Sequence, residues 1–322
     1  MKQAQKSAKI GQVGRIAGGT ALFARSFQQE VAKRAVPLAI LRPKFKFFKE
    51  GYEKWTKAPS PCPFFKMKCM IFFDSHMHLM DEQYDGIRDE IVENARKNNV
   101  LYMANIGYNR ETSVKAVEDA KKYDGVYAVV GIHPENIDDL DDEFKFIYEL
   151  ANEPKVVAIG EIGLDYHYGG DAERQKEILV RQIKIANELK KPVVIHSRDA
   201  DMDMLKVLKE NKIENGFVMH CFSSSVEVLK EVLKLGAYVS LGGPVTFKNA
   251  RSLIEVAKLI PEDRMLIETD APYLAPEPFR GKRNEAAYVV HTAQKIADLR
   301  ECLLEKIAEI TTENTKKFYG IK

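Results

Sequence analysis

Ile71-Phe72-Phe73-Asp74-Ser75-His76-Met77-His78-Leu79 begins as an apolar strand and ends in His-x-His. Side chains alternate across a strand, so Asp74, His76 and His78 share one face. Two imidazoles on one strand face can reach one metal ion, and histidine is the commonest metal ligand near neutral pH. Taken alone, the pair fits two ordinary histidines at a strand end equally well. The rest of the chain decides.

Downstream, apolar β-rich runs recur at residues 71–74, 101–106, 126–132, 156–161, 193–196, 217–220, 237–241 and 265–269. Amphipathic segments lie between them. In 180–189, apolar Val180, Ile183, Ile185, Ala186 and Leu189 interleave with Arg181, Lys184 and Glu188. The strands are apolar almost throughout, as when both faces are buried. Strand alternating with helix argues for parallel pairing. Eight such units in about 250 residues predict an α/β protein, a (β/α)8 TIM barrel over residues 70–322. A doubly wound open sheet is disfavoured, because no Gly-x-Gly-x-x-Gly turn follows the first strand.

The composition, 45% apolar and 30% charged over 322 residues, is that of a globular protein. No apolar run approaches the roughly 18 residues of a membrane span. Cys62, Cys69, Cys221 and Cys302 form no C-x-x-C pair. They read as reduced thiols of a cytoplasmic protein. Cys221 follows His220, so its side chain is expected on the opposite face, as a core thiol.

The net charge of +2 hides a split. Residues 1–69 hold 15 of the 49 Lys and Arg but only 3 of the 47 Asp and Glu, leaving 34 and 44, a net of −10, in residues 70–322. Residues 1–69 form a separate basic extension without a sustained helical or strand period, expected to be poorly ordered or only locally helical. Three readings compete for it: a targeting or pro-segment, a nucleic-acid-binding arm, or an upstream extension of the reading frame with Met67 or Met70 the true start. The last is favoured, because Met70 directly precedes the first core strand.

Catalytic groups of such barrels sit at the C-terminal ends of the strands. His76 and His78 end strand 1, His133 strand 3, His196 strand 5 and His220 strand 6, while His167 follows strand 4. Only His291 lies elsewhere. Packing would not gather six of seven histidines at one rim. Glu161 ends strand 4 and Asp270 strand 8, and a carboxylate in that position is costly unless paired or bound to metal. The set His76, His78, Glu161, His196, His220 and Asp270 is too large for one zinc-like ion. It suits two divalent ions sharing a bridging carboxylate, and its N and O donors suit Mg2+, Mn2+ or Zn2+.

Several motifs resemble the TatD family of metal-dependent deoxyribonucleases, a branch of the amidohydrolase-type barrels. They are Asp74-Ser75-His76-Met77-His78-Leu79, Gly131-Ile132-His133-Pro134, residues 160–167, His196-Ser197-Arg198-Asp199-Ala200, His220-Cys221-Phe222, Glu268-Thr269-Asp270-Ala271-Pro272-Tyr273-Leu274 and Arg280-Gly281-Lys282-Arg283-Asn284-Glu285. Residues 241–250 join them. The resemblance runs from about Met70 to the C-terminus and leaves residues 1–69 outside. It implies that His76, His78 and Asp270 hold one ion, His196 and His220 the second, and that Glu161 bridges them. Ala286 stands where the family usually carries proline, and Met77 where cysteine is frequent. Met77 is expected to face away from the site.

Phosphodiester hydrolysis needs a nucleophile, charge neutralisation and help for the leaving group, much of which two metals can supply. Asp270 can bind metal and accept the proton of the attacking water. Two roles stay open for His133: contact with phosphate or leaving group, or a structural hydrogen bond before Pro134. Arg198, Lys282 and Arg283 are candidate phosphate contacts, extended by Lys248 and Arg251, with a plain solvated cluster as the alternative. Asp74 is placed to orient a ligand histidine or water. Tyr166 and Tyr273 either stack on a terminal base or close the rim.

The acidic balance of residues 70–322 argues against a broad grip on duplex DNA. It favours a local grip on a strand end, hence an exonuclease. The resemblance implies 3′-to-5′ action on single-stranded DNA, with RNA as a further substrate. Two other readings compete. One is a dinuclear amidohydrolase acting on a small amide, ester or aminoacyl-tRNA ester, disfavoured because such barrels often carry a carboxylated lysine where Glu161 stands. The other is a metal-stabilised binding module.

Overall fold

A computed structural model describes residues 70–137 and 144–322. The readings of residues 1–69 lie outside the described residues. Eight strands form one sheet: β1 (Phe72–Met77), β2 (Val100–Ile106), β3 (Val126–Val130), β4 (Val156–Asp165), β5 (Val193–Arg198), β6 (Phe217–Met219), β7 (Tyr238–Leu241) and β8 (Met265–Ile267). Each pairs in parallel with the next in sequence. The helices are α1 (Arg88–Lys97), α2 (Arg110–Lys122), α3 (Lys145–Ala151), α4 (Ala172–Glu188), α5 (Asp201–Glu210), α6 (Val226–Lys234), α7 (Arg251–Leu259), α8 (Val289–Leu299) and α9 (Leu304–Tyr319). The sequence-predicted TIM barrel is the fold. Among the described residues no helix is long and apolar enough to cross a membrane.

Closure occurs at the end of β1 and just beyond the end of β8. A parallel bridge pairs Met77 with Ala271. The His78 N–H donates to Ala271 O at 2.7 Å, and the Asp270 N–H to His76 O at 2.9 Å. These bonds bring the first and last strand ends together, and His76, His78 and Asp270 with them.

The core has two layers. Outside the sheet, strand side chains such as Phe72, Met103, Ile159 and Ile195 pack with helix residues such as Ile91, Val117 and Ile183. Inside, Ala104, Ile106, Val129, Ala158, Val194, Val218 and Leu266 fill the barrel. Phe318 and Tyr319, at the end of α9, join this inner cluster. Tyr319 donates its hydroxyl to Ser75 O at 2.8 Å. Phe73 stacks on Tyr102 and Tyr127 at 5.5 and 6.2 Å. Apolar and aromatic side chains thus occupy the interior, and the polar groups collect at the C-terminal mouth. Met77 is fully buried in the outer layer, facing away from the site as expected.

Candidate metal centre

Glu161 is the hub. Its position depends on two glycines of β4. A Cβ on Gly163 would lie 1.9 Å from His196 O, and one on Gly160, whose φ is +155°, would lie 2.8 Å from the Val194 Cβ. Only glycine permits so close an approach of β4 to β5. The resulting register sets Gly163 beside His196 and Asp165 beside Arg198.

Five imidazoles converge on Glu161, and four of them belong to the candidate ligands. His220 Nε2 lies 2.7 Å and His196 Nδ1 2.8 Å from Glu161 Oε1. His76 Nε2 and His78 Nε2 lie 3.4 and 3.9 Å from Glu161 Oε2. Asp270 Oδ1 sits 3.6 Å from His76 Nε2 and 3.5 Å from His78 Nε2. All six sequence-predicted ligand residues therefore meet at the barrel mouth.

The far nitrogens of three rings face acceptors. His78 Nδ1 is 2.8 Å from Ile106 O, which can only accept, so Nδ1 carries the proton and Nε2 faces the carboxylates. His196 Nε2 is 3.0 Å from Asp165 Oδ2. His220 Nδ1 is 3.4 Å from Glu268 Oε1, an ion-pair distance rather than a well-formed hydrogen bond. Such partners fix a ring's tautomer and aim its other lone pair. His76 differs. Its ring is 1% exposed, stacks on His220 at 3.9 Å, and makes no hydrogen bond through either nitrogen.

A buried imidazole without a hydrogen bond, amid converging lone pairs and two carboxylates, fits a cation. Among the described residues the ligand atoms of His76, His78 and Asp270 lie within 4.8 Å of one another, as do those of His133, Glu161 and His196, and of His76, His220 and Glu268. N and O donors without thiolate match borderline and hard divalent ions.

The electrostatics point the same way. Burial pushes the Glu161 carboxyl up, but His220, His133 and His76 overcome it and hold the group well below the usual carboxylate range. Burial disfavours a charged His220, yet Glu161 and Glu268 hold its pKa well above the ordinary value. Asp270 is held low by His78, His76 and His220 against its own burial. The carboxylates are thus ionised and ready to receive cationic charge.

His133 lies at the edge. Its Nδ1 accepts the Glu135 N–H at 3.2 Å, so the proton of the neutral ring is on Nε2. That nitrogen is 3.5 Å from Glu161 Oε1. His133 therefore presents a donor to the site. Asp74 holds the ligand residue His76 through its backbone rather than its ring: it accepts the His76 N–H at 3.3 Å, and also the Thr269 N–H at 2.9 Å and the Thr269 hydroxyl, bracing the residue before Asp270. Burial pushes its carboxyl up to about 8, against those hydrogen bonds.

One expectation changes. Cys221 is not a core thiol: strand alternation fails at its positive φ of 39°, and its partly buried thiol lies within the field of Asp270, Glu268 and Glu161. Of the two roles left open for Tyr166, the structure favours closing the rim: the ring is half-buried against the core and its hydroxyl donates to Asp203 Oδ2 at 2.8 Å. Lys282 and Arg283 are exposed, Lys282 against the Phe279 ring and Arg283 against the Tyr84 ring with its Nη1 donating to Gln83 O, and both roles stay open for them. Tyr273 stays at the mouth, edge-on to His78 at 6.0 Å, with its hydroxyl on Asp81. Lys248 and Arg251 are exposed.

Glu268 and Asp165 were not singled out from sequence. Each stands near a recognised ligand, two residues before Asp270 and four after Glu161. A buried charge at the end of an apolar strand was the available signal.

Comparison with known proteins agrees with this geometry. The family model described as "TatD related DNase" matches residues 73–320. The metal-dependent hydrolase YabD of Bacillus subtilis is 48% identical over 254 residues, covering 78% of this chain and 100% of its own length. YcfH of Escherichia coli, also named a metal-dependent hydrolase, is 38% identical over 257 residues, covering 78% of this chain and 97% of its own. The crystal structure of the TatD homologue YjjV from E. coli K12 superposes with a TM-score of 0.74 at 27% identity, covering 78% of this chain and 98% of that one. The chain belongs to the TatD-related DNase family of amidohydrolase-type barrels, in which both of these curated relatives are named as metal-dependent hydrolases.

Proposed function

We propose that residues 70–322 form a metal-dependent deoxyribonuclease that hydrolyses phosphodiester bonds at single-stranded ends, 3′ to 5′, with RNA as a further substrate. The observation that carries the metal-dependent chemistry is the convergence of four ring nitrogens on Glu161 and Asp270. Membership of a family described as DNases supports the substrate class. The excess of ten acidic residues in the barrel supports a local rather than a groove-wide grip. The two described cysteines, Cys221 and Cys302, are free, in keeping with a cytoplasmic location.

His76, His78 and Asp270 would hold one divalent ion and His196 and His220 a second, with Glu161 shared between them. Bound there, the ions supply neutralisation of phosphate charge and a more acidic water. Asp270, ionised and partly open to solvent, takes the proton of the attacking water at a carboxylate oxygen. His133 Nε2–H is the donor toward a phosphate oxygen or the departing alkoxide. Arg198, at the end of β5, supplies positive charge on the rim.

The test is a nuclease assay on end-labelled single-stranded and duplex oligonucleotides, with Mg2+, Mn2+ or Zn2+ and with chelator. p-Nitrophenyl esters and small cyclic amides run in parallel. Metal-dependent release of nucleotides from the 3′ end supports the proposal. Turnover of esters or amides without oligonucleotide cleavage would replace it with small-molecule hydrolysis.

A further inference from the structure

We propose that Tyr168, together with Arg198, forms a stacking platform for a nucleobase at the barrel mouth; this rests on the nuclease reading above. The loop after β4 runs Tyr166-His167-Tyr168-Gly169-Gly170. Its first two aromatic residues are tied down. Tyr166 donates its N–H to Arg198 O at 3.0 Å and its hydroxyl to Asp203. His167 Nδ1 lies 2.9 Å from Asp199 Oδ2, and its N–H donates to Asp165 Oδ1 at 2.8 Å. Tyr168 is left outside, 73% exposed, with the Arg198 guanidinium 5.1 Å from its ring centroid and the His167 ring edge-on at 4.8 Å.

That exposure is costly in water, and the loop is built to maintain it. Gly169 and Gly170 have φ of +83° and +103° and take the chain away at once. The tethers on both preceding residues orient the ring without covering it. The platform also adjoins the chemistry. Arg198 pairs in register with Asp165, Asp165 holds His196 at 3.0 Å, and His196 holds Glu161 at 2.8 Å.

Every base has a π-face, so stacking on a tyrosine is tolerant of sequence. The guanidinium beside the ring adds charge for the adjoining phosphate and a cation–π contact. Tyr168 thereby takes the stacking role that the sequence left open between Tyr166 and Tyr273. The ligand class is one unpaired nucleotide of a single strand, its base on the ring and its phosphate toward Arg198.

The experiment compares wild-type protein with Tyr168→Ala and Tyr168→Phe on a single-stranded oligonucleotide and on the same strand with an abasic 3′-terminal nucleotide and, separately, an abasic penultimate one. Tyr168→Ala is expected to raise KM by roughly tenfold with kcat little changed, and Tyr168→Phe to stay within about twofold of wild type. The Ala effect should vanish on one of the abasic strands, because the ring then has no base to hold. Wild-type cleavage with unchanged KM in Tyr168→Ala overturns the platform and leaves the nuclease reading standing. So does an Ala effect of equal size on all three strands. Absence of cleavage by wild-type protein overturns both.

Discussion

His220 Nε2 lies 2.7 Å from Glu161 Oε1, the shortest link between an imidazole and the carboxylate at the centre of the mouth. The pair joins the residue after β6 to the interior of β4, two strands that are not neighbours in the sheet. Removing either partner leaves the other buried and uncompensated.

Glu161 and Asp270 should fail differently. Glu161→Gln removes the charge that five rings face, so metal content measured by native mass spectrometry should fall together with activity. Asp270→Asn keeps the shape and a carbonyl donor but loses the base. It should retain metal and bind DNA while turnover drops by roughly 10² or more. Full metal occupancy in Glu161→Gln would remove its bridging role. Near wild-type turnover in Asp270→Asn would move the proton to another acceptor.

Glu268 is expected to act through His220. Its side chain is fully buried, with Oε1 accepting the Cys221 N–H at 2.6 Å and facing His220 Nδ1. Glu268→Gln should weaken metal affinity by roughly 10- to 100-fold. Titration calorimetry with Zn2+ or Mn2+ reads this directly. An unchanged isotherm would reduce Glu268 to a support for the Cys221 backbone.

Lys282 and Arg283 sit on the loop after β8, which Asn284 pins by donating to Thr269 O at 2.8 Å and Tyr273 O at 2.7 Å. Replacing both with alanine should raise KM more than it lowers kcat, and should flatten the dependence of KM on salt. If KM and its salt response are both unaltered, the two residues are a solvated cluster.

Gly163→Ala tests the close approach of β4 and β5. The new Cβ would meet the His196 carbonyl at 1.9 Å, and backbone cannot yield as a flexible side chain does. Destabilisation of about 3 kcal/mol is expected, at the upper end of overpacking effects, with loss of metal affinity because His196 moves. A thermal or denaturant melt close to wild type would show that the strands separate at little cost.

His291, on α8, is half-buried against Phe279 and Tyr288, with centroids 5.3 and 6.1 Å away. Burial pushes its pKa below the ordinary value. The unfolded chain therefore takes up its proton at higher pH than the folded one. The stability it permits is full above about pH 6.5 and declines as pH falls toward the folded-state pKa. Between pH 7.5 and 5.5, His291→Gln should lose less Tm than wild type. Parallel losses would mean the ring stays solvated enough to titrate normally.

The barrel was legible because parallel strands buried on both faces must be nearly continuous in apolar residues, and because eight of them alternated with amphipathic segments. The six candidate ligands were legible for a related reason: a charged or imidazole side chain ending an apolar strand is costly there unless a partner or a metal ion compensates it. Strand alternation could not predict Cys221, whose backbone leaves the extended region at the end of β6. Nor could it show that Asp165 holds His196, which needs β4 and β5 in register, or that Glu268 stands near His220, which needs the ends of β6 and β8 brought together across β7. Tyr166 and Tyr168 are indistinguishable in sequence. Which ring is tethered and which projects was decided by Asp203, on α5, within reach of one hydroxyl and not bonded to the other. The chain's own pattern determined the strands and the residue types at the mouth. Tertiary structure decided tautomers, partners and exposure, because each depends on atoms distant in sequence arriving within about 3 Å of one another.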